Sequence, residues 1–287
     1  MTEYEEEFMY PDRIINNKEN FEYFIKMFSE YRADDDMNRE PFVYYNAEND
    51  PGLSELYSRY NLKSYTNKQT FKTALFFMTW VCNRLYFKEL AEYDGRQNAT
   101  EILNFCKKNK ATVNCLCHAT VLSEFLLALN YKVKKIFALP FDLLPNENHV
   151  ILDVFMPDLN KWVMLDPSVC SYLTDCNNTP LSVREIRENL VCENKMYIKS
   201  ENEIYNYFHS QNEALIDTDV ENCYMAYLYK DFFRFIADRF QHSDSIDASD
   251  VLMLLPVRYL KPDIIIDNYA GKKGKIRTTN AADYFWG

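Results

Sequence analysis

Three reactive side chains fall within four positions of the stretch VNCLCHATVLSEFLLALNYKVKK, residues 113–135: Cys115, Cys117 and His118. Residues of these types, this close together, suit a metal cluster, a nucleophile at a helix end, or a plain apolar core. Steps of four and three from Cys115 reach Ala119, Leu122, Leu126 and Leu129, the apolar stripe of a helix with Cys115 at its N-terminal end. Asn114 precedes it as a cap. A thiol in a first helical turn feels the positive end of the helix dipole, which favours the nucleophilic thiolate. Cys117 points about 200° around the same helix and shares no site with Cys115. C-x-C-H is too tight to surround one zinc ion and no C-x-x-C pair occurs elsewhere, so no metal is expected and His118 reads as a packing or surface residue.

Further along, HVILDVFMPDLNKWVMLDPS, residues 149–168, has the pattern of a β-hairpin. With Pro157 to Asn160 as its loop, Met156 faces Lys161, Ile151 faces Asp166 and His149 faces Ser168. Alternate residues share a face, so His149 and Asp166 become diagonal neighbours with backbones about 7–8 Å apart. That spacing suits an imidazole held by a carboxylate, and it suits equally an edge histidine beside a turn aspartate. Asp153 shares the face but lies about 13 Å along the strand from His149, as a supporting or solvent-facing group. Together, Cys115, His149 and Asp166 supply a nucleophile, a base and an orienting acid.

In this order and spacing the chain resembles the transglutaminase-like superfamily of the papain-like cysteine proteinase fold, in its bacterial-type members. The resemblance is carried by Cys115 followed by Ala119, by ALNYKVKK at the family's strand entry, by His149 with its apolar strand, and by KWVMLDPS, similar to a Trp-x-x-x-Asp-Pro-Thr element. It covers residues 113–170, with weaker similarity in TWVCNR, NATEIL, LSVREIREN and YMAYLYKDFFRF. The chain departs from the family in Asn114, where Gly is common, and in Ile151, where many members carry Trp. The resemblance implies a catalytic triad of Cys115, His149 and Asp166, no cofactor, and a peptide or protein amide as substrate. The implied reaction is attack on the amide through a thioester that water or an amine resolves. The backbone N–H of Cys115 is a natural oxyanion donor, to be joined by an upstream side chain; Trp80, the most visible upstream aromatic, reads as core. The alternative is the same fold kept as an inactive binding module, with the Tyr-rich region 197–235 as its contact surface.

The elements that must position these residues follow from periodicity. Helical spacing spans 20–31, 70–92, 98–108 and 115–129, and returns at 181–190 and 221–240. YKVKKIFALP, HVILDVFMP and KWVMLDP read as antiparallel strands, with VLMLLP and DIIID as further ones. Residues 32–52, with ADDD and the turn signal NDPG, read as a polar connection. The order is that of an α+β protein: a nucleophile helix packed on an antiparallel sheet, flanked by N- and C-terminal helices. Residues 1–95 are expected as an N-terminal helical region packed on a catalytic core of 96–287 with a C-terminal helical and strand extension, or the two together as one domain. With 47% apolar residues, 16% aromatics and only 5 glycines in 287 residues, the composition is that of a packed globule without a Gly-rich phosphate loop. A net charge of −11 argues against nucleic acid as a partner. The N-terminal MTEYEEEFMYPDR is no secretory signal and no apolar run approaches the roughly 18 residues of a membrane span, so no membrane partner and a cytoplasmic location are expected. In that compartment the 8 cysteines are expected as free thiols.

Overall fold

The computed structural model describes residues 17–32, 40–88, 93–109, 111–141, 148–200, 220–243, 250–259, 264–269 and 272–287. The acidic N-terminal stretch, residues 33–39 of the connection and residues 201–219 of the Tyr-rich region lie outside this set. In chain order the elements are α1 (Lys18–Met27), β1 (Val43–Tyr44), α2 (Pro51–Arg59), α3 (Phe71–Cys82), β2 (Tyr86–Phe87), α4 (Ala99–Asn109), β3 (Thr112–Val113) and α5 (Cys115–Ala128). Then come β4 (Val133–Leu139), β5 (His149–Met156), β6 (Lys161–Leu165), β7 (Ser171–Thr174), α6 (Val183–Val191), β8 (Tyr197–Ser200) and α7 (Val220–Asp231). The chain ends with β9 (Arg234–Asp238), β10 (Phe240–Gln241), β11 (Val251–Leu254), β12 (Ile264–Tyr269), β13 (Lys272–Thr279) and α8 (Ala282–Trp286).

The architecture is α+β, centred on one seven-stranded sheet in the order β12-β13-β11-β9-β4-β5-β6. It is mixed rather than wholly antiparallel: β11 and β13 run parallel, with Val251 opposite Ile276. Pleat alternation sorts the side chains onto two faces. Phe137, Val150, Leu152 and Val154 meet the helices α2, α3, α4 and α5 in one apolar cluster, while Ile136, Ala138, Ile151 and Met164 meet α6, α7 and α8 in another. Leu53, Leu56, Phe77 and Met78, all N-terminal to residue 95, share the first cluster with Leu122 and Phe125 of α5, so this region and the sheet have one continuous core.

α5 is enclosed on every side. Every residue from Cys117 to Ala128 is buried, beyond the single stripe that its spacing suggests. The polar residues among them are satisfied: Ala99 N–H donates to Glu124 Oε2 at 2.9 Å, Lys135 Nζ to Thr120 Oγ1 at 3.2 Å, and Ser123 Oγ to the Thr120 carbonyl at 3.0 Å.

Three further sequence expectations change. NDPG starts a helix instead of turning: Asp50 caps α2 by accepting from Leu53 N–H at 3.0 Å, and Pro51 occupies a first-turn position where its missing N–H is harmless. The helix expected over 70–92 stops at Cys82, where Arg84 stacks on Trp80 at 3.8 Å and donates to the Trp80 carbonyl at 3.3 Å, closing the C-terminal end. Residues 221–240 are not one helix. α7 ends at Asp231 and RFIAD becomes β9, inserted between β4 and β11; a short run buried on both faces has no periodicity to separate strand from helix.

Truncating the fully buried Leu126 to alanine removes packing at the centre of the first cluster. A loss of about 2–5 kcal/mol is expected, read as a lowered urea midpoint at unchanged m-value.

Candidate active site

The β5–β6 hairpin has the register its sequence suggests, with Met156 opposite Lys161 and Leu152 opposite Leu165. His149 is the first residue of β5 and Asp166 follows the last residue of β6, so both stand at the open end of the hairpin, away from its turn. The ladder does not continue to a His149–Ser168 pair. Asp166 bridges Ser171 instead, with Asp166 N–H donating to the Ser171 carbonyl at 2.8 Å and Ser171 N–H donating back at 3.0 Å. Pro167, lacking an N–H, starts the intervening turn, and Cys170 closes it in the left-handed region at φ 53°. The turn leaves the Asp166 carboxylate diagonally beside the imidazole: His149 Nε2 lies 2.7 Å from Asp166 Oδ2, with both side chains buried.

Among the described residues, four donors converge on that carboxylate. Oδ2 accepts from His149 Nε2 and from Tyr224 OH at 2.8 Å, while Oδ1 accepts from Ser168 N–H at 3.1 Å and Ser168 Oγ at 2.6 Å. Burial alone would raise the Asp166 pKa; the charge and hydrogen bond of His149, with those of Ser168 and Tyr224, outweigh it and hold the carboxyl below its ordinary value. Burial alone would lower His149. The Asp166 carboxylate and the interaction with Cys115 prevail, and its pKa stands well above 6.5. The charged pair is therefore the favoured state at neutral pH.

Cys115 occupies the first turn of α5, where Asn114 caps the helix by accepting from Cys117 N–H at 3.2 Å. It is half-buried and interacts with the His149 ring. With Nε2 given to Asp166, the buried Nδ1, which makes no hydrogen bond of ordinary geometry, is the nitrogen left for the thiol. The structure thus brings Cys115, His149 and Asp166 together.

The neighbouring groups differ sharply. Burial pushes the Cys117 thiol up to about 12, and its Sγ is directed to Gln97 Oε1 at 3.8 Å. His118 is buried with Nδ1 3.0 Å from the Asn114 carbonyl and Nε2 3.1 Å from the Leu85 carbonyl, a packing residue rather than a ligand. Asp153 is a buried support. It lies opposite Lys134, accepts from Val183 N–H at the start of α6, and is raised by burial to about 6, while burial lowers Lys134 to about 8. Trp80 packs between the rings of Tyr60 and Phe125. Among the described residues, no group of three or more His, Cys, Asp or Glu side chains is placed to hold a metal ion.

The sequence reading missed Ser168, Tyr224 and Tyr227, whose ring meets the His149 ring edge-on at 5.0 Å. Ser168 had a local signal, because Asp-Pro-Ser favours a side-chain bond back to the aspartate. The tyrosines had none; they arrive on α7, 58 positions beyond Asp166 in the case of Tyr224. The helix α3 braces the hairpin at both ends: Phe71 N–H donates to the Asp158 carboxylate at 3.0 and 3.1 Å in the turn, and Cys82 Sγ donates to the Pro167 carbonyl at 3.0 Å beside Asp166.

The pKa shifts fix how stability follows pH. The raised His149 value contributes stability that is complete below about 6.5 and lost as pH rises through its folded value. The lowered Asp166 value contributes stability that is complete above about 3.8 and lost as pH falls through its folded value. Urea midpoints of the protein and its Asp166→Asn variant should differ most between about pH 4 and 6.5 and converge on either side; a difference independent of pH would contradict the buried ion pair. No known protein family, characterised protein or solved structure matches this chain, so the functional reading rests on its residues and their geometry.

Proposed function

We propose that the protein is a cysteine-dependent acyl-transfer enzyme acting on amide bonds, with a papain-like, transglutaminase-like core. One observation carries the reading: a buried His149–Asp166 pair, 2.7 Å apart, beside a half-buried thiol at a capped helix N-terminus. In the proposed reaction the Cys115 proton resides on His149 Nδ1, so that the imidazolium faces a thiolate, and the thiolate attacks the carbonyl carbon of a peptide or protein amide. The oxygen of the tetrahedral intermediate gains negative charge, which the first-turn N–H of Cys115 and the helix dipole stabilise. Collapse breaks the C–N bond as the imidazolium gives its proton to the leaving amine. The resulting thioester is resolved by water or by a second amine, with His149 taking that nucleophile's proton and Cys115 restored as a thiol. Asp166 holds the ring and stabilises its cation throughout.

The arrangement also accounts for the choice among cysteines. Cys117 is held protonated by burial, whereas Cys115 stands half-buried at the N-terminal end of the same helix. Cys176 and Cys192 are exposed and serve for comparison.

At pH 7 iodoacetamide should alkylate Cys115 faster than Cys176 and Cys192, and His149→Ala should remove that advantage. Cys115→Ala should lower turnover of peptide amides, screened with and without an amine acceptor, by about 10³-fold or more. Labelling of Cys115 no faster than of the exposed thiols, and unchanged by His149→Ala, would instead favour an inactive binding module.

A further inference from the structure

We propose that Tyr224 is a positioning residue that sets the acidity of His149 through Asp166, a role whose consequence for turnover rests on the acyl-transfer reading above. The geometry behind this is specific. Tyr224 OH and His149 Nε2 donate to the same carboxylate oxygen, Oδ2, at 2.8 and 2.7 Å, while Ser168 occupies Oδ1. A donor on the oxygen that receives the imidazole draws charge from it and weakens its hold on the imidazolium proton. Tyr224 is fully buried, and Ser171 Oγ donates to its hydroxyl at 3.5 Å, which turns the phenolic hydrogen toward Asp166. The same helix sets Tyr227 against the imidazole ring one turn later.

The other described groups around the dyad act on it differently. Cys115 and His118 face it from α5 and Cys82 from α3, and each influences it by charge or by a bond elsewhere on the ring. On α7, Lys230 stacks 4.8 Å over the Tyr227 ring and lies 3.5 Å from Asp231. Tyr224 is thus a contact through which α7 reaches the carboxylate directly. Without its hydroxyl, Oδ2 keeps more charge, His149 holds its proton more tightly, and the imidazolium becomes a poorer acid toward the leaving amine.

Tyr224→Phe keeps the ring and removes only the hydroxyl. In an NMR titration of the histidine ring nitrogens, the His149 pKa is expected to rise by about half a unit or more, the scale of one hydrogen bond. Asp166→Asn should move it in the opposite direction. In turnover assays Tyr224→Phe should lower kcat several-fold at neutral pH with KM unchanged and carry the alkaline limb of the profile to higher pH. A folded Tyr224→Phe protein whose His149 pKa is unchanged or lower overturns the proposal. Should that variant not fold, Ser171→Ala, which frees the hydroxyl to rotate, must give a smaller shift of the same sign, and no shift is equally fatal. Because the titration needs no substrate, a wild-type protein with the expected shift but no amide turnover would sink the acyl-transfer reading and leave the Tyr224 coupling standing.

Discussion

Burying an imidazolium beside a carboxylate is the most demanding thing this chain does. Each ion taken from water costs several kcal/mol, and the attraction between them offsets this only if the remaining lone pairs are met. The surroundings of Asp166 answer that requirement. Its four donors come from three places: the strand carrying His149, the turn carrying Ser168, and the distant helix carrying Tyr224. The left-handed Cys170 and the backbone bridge to Ser171 hold the turn that aims the carboxylate inward. α7 therefore completes the site chemically as well as covering one face of the sheet.

On the opposite face, α5 works by direction. A helix enclosed by the sheet and by α2, α3 and α4 offers little access along its length, and thiols within it stay protonated and unreactive. Its first turn is more open: Cys115 stands half-buried where the unsatisfied N–H groups and the dipole converge, two positions before the buried Cys117.

Local features were legible in the sequence and composite ones were not. The hairpin, its register and the side shared by His149 and Asp166 follow from a period of two and a four-residue loop, and the start of α5 follows from its stripe and its Asn114 cap. Asp50-Pro51-Gly52 was ambiguous because Asp and Pro favour helix starts as well as turns; packing of Leu53 and Leu56 decided for the helix. RFIAD looked helical because its strand is buried on both faces and continues the pattern of α7. The Tyr224 contact had no trace in any window, since it exists only once α7 docks against the far side of the sheet.

The bracing of the hairpin by α3 ties two lengths together. A helix of 12 residues at about 1.5 Å each spans about 18 Å, nearly the run of the five-residue strand β6 with its flanking residues. Its first residue is fixed at Asp158 in the turn and its last at Pro167 beside Asp166, so the helix acts as a gauge for the strand. One residue inserted in β6 would turn Asp166 to the α5 side of the sheet. Two would restore its side but carry it about 7 Å past the end of the helix. Chains that drift in length elsewhere can keep this site, but the hairpin and α3 can only change length as a matched set.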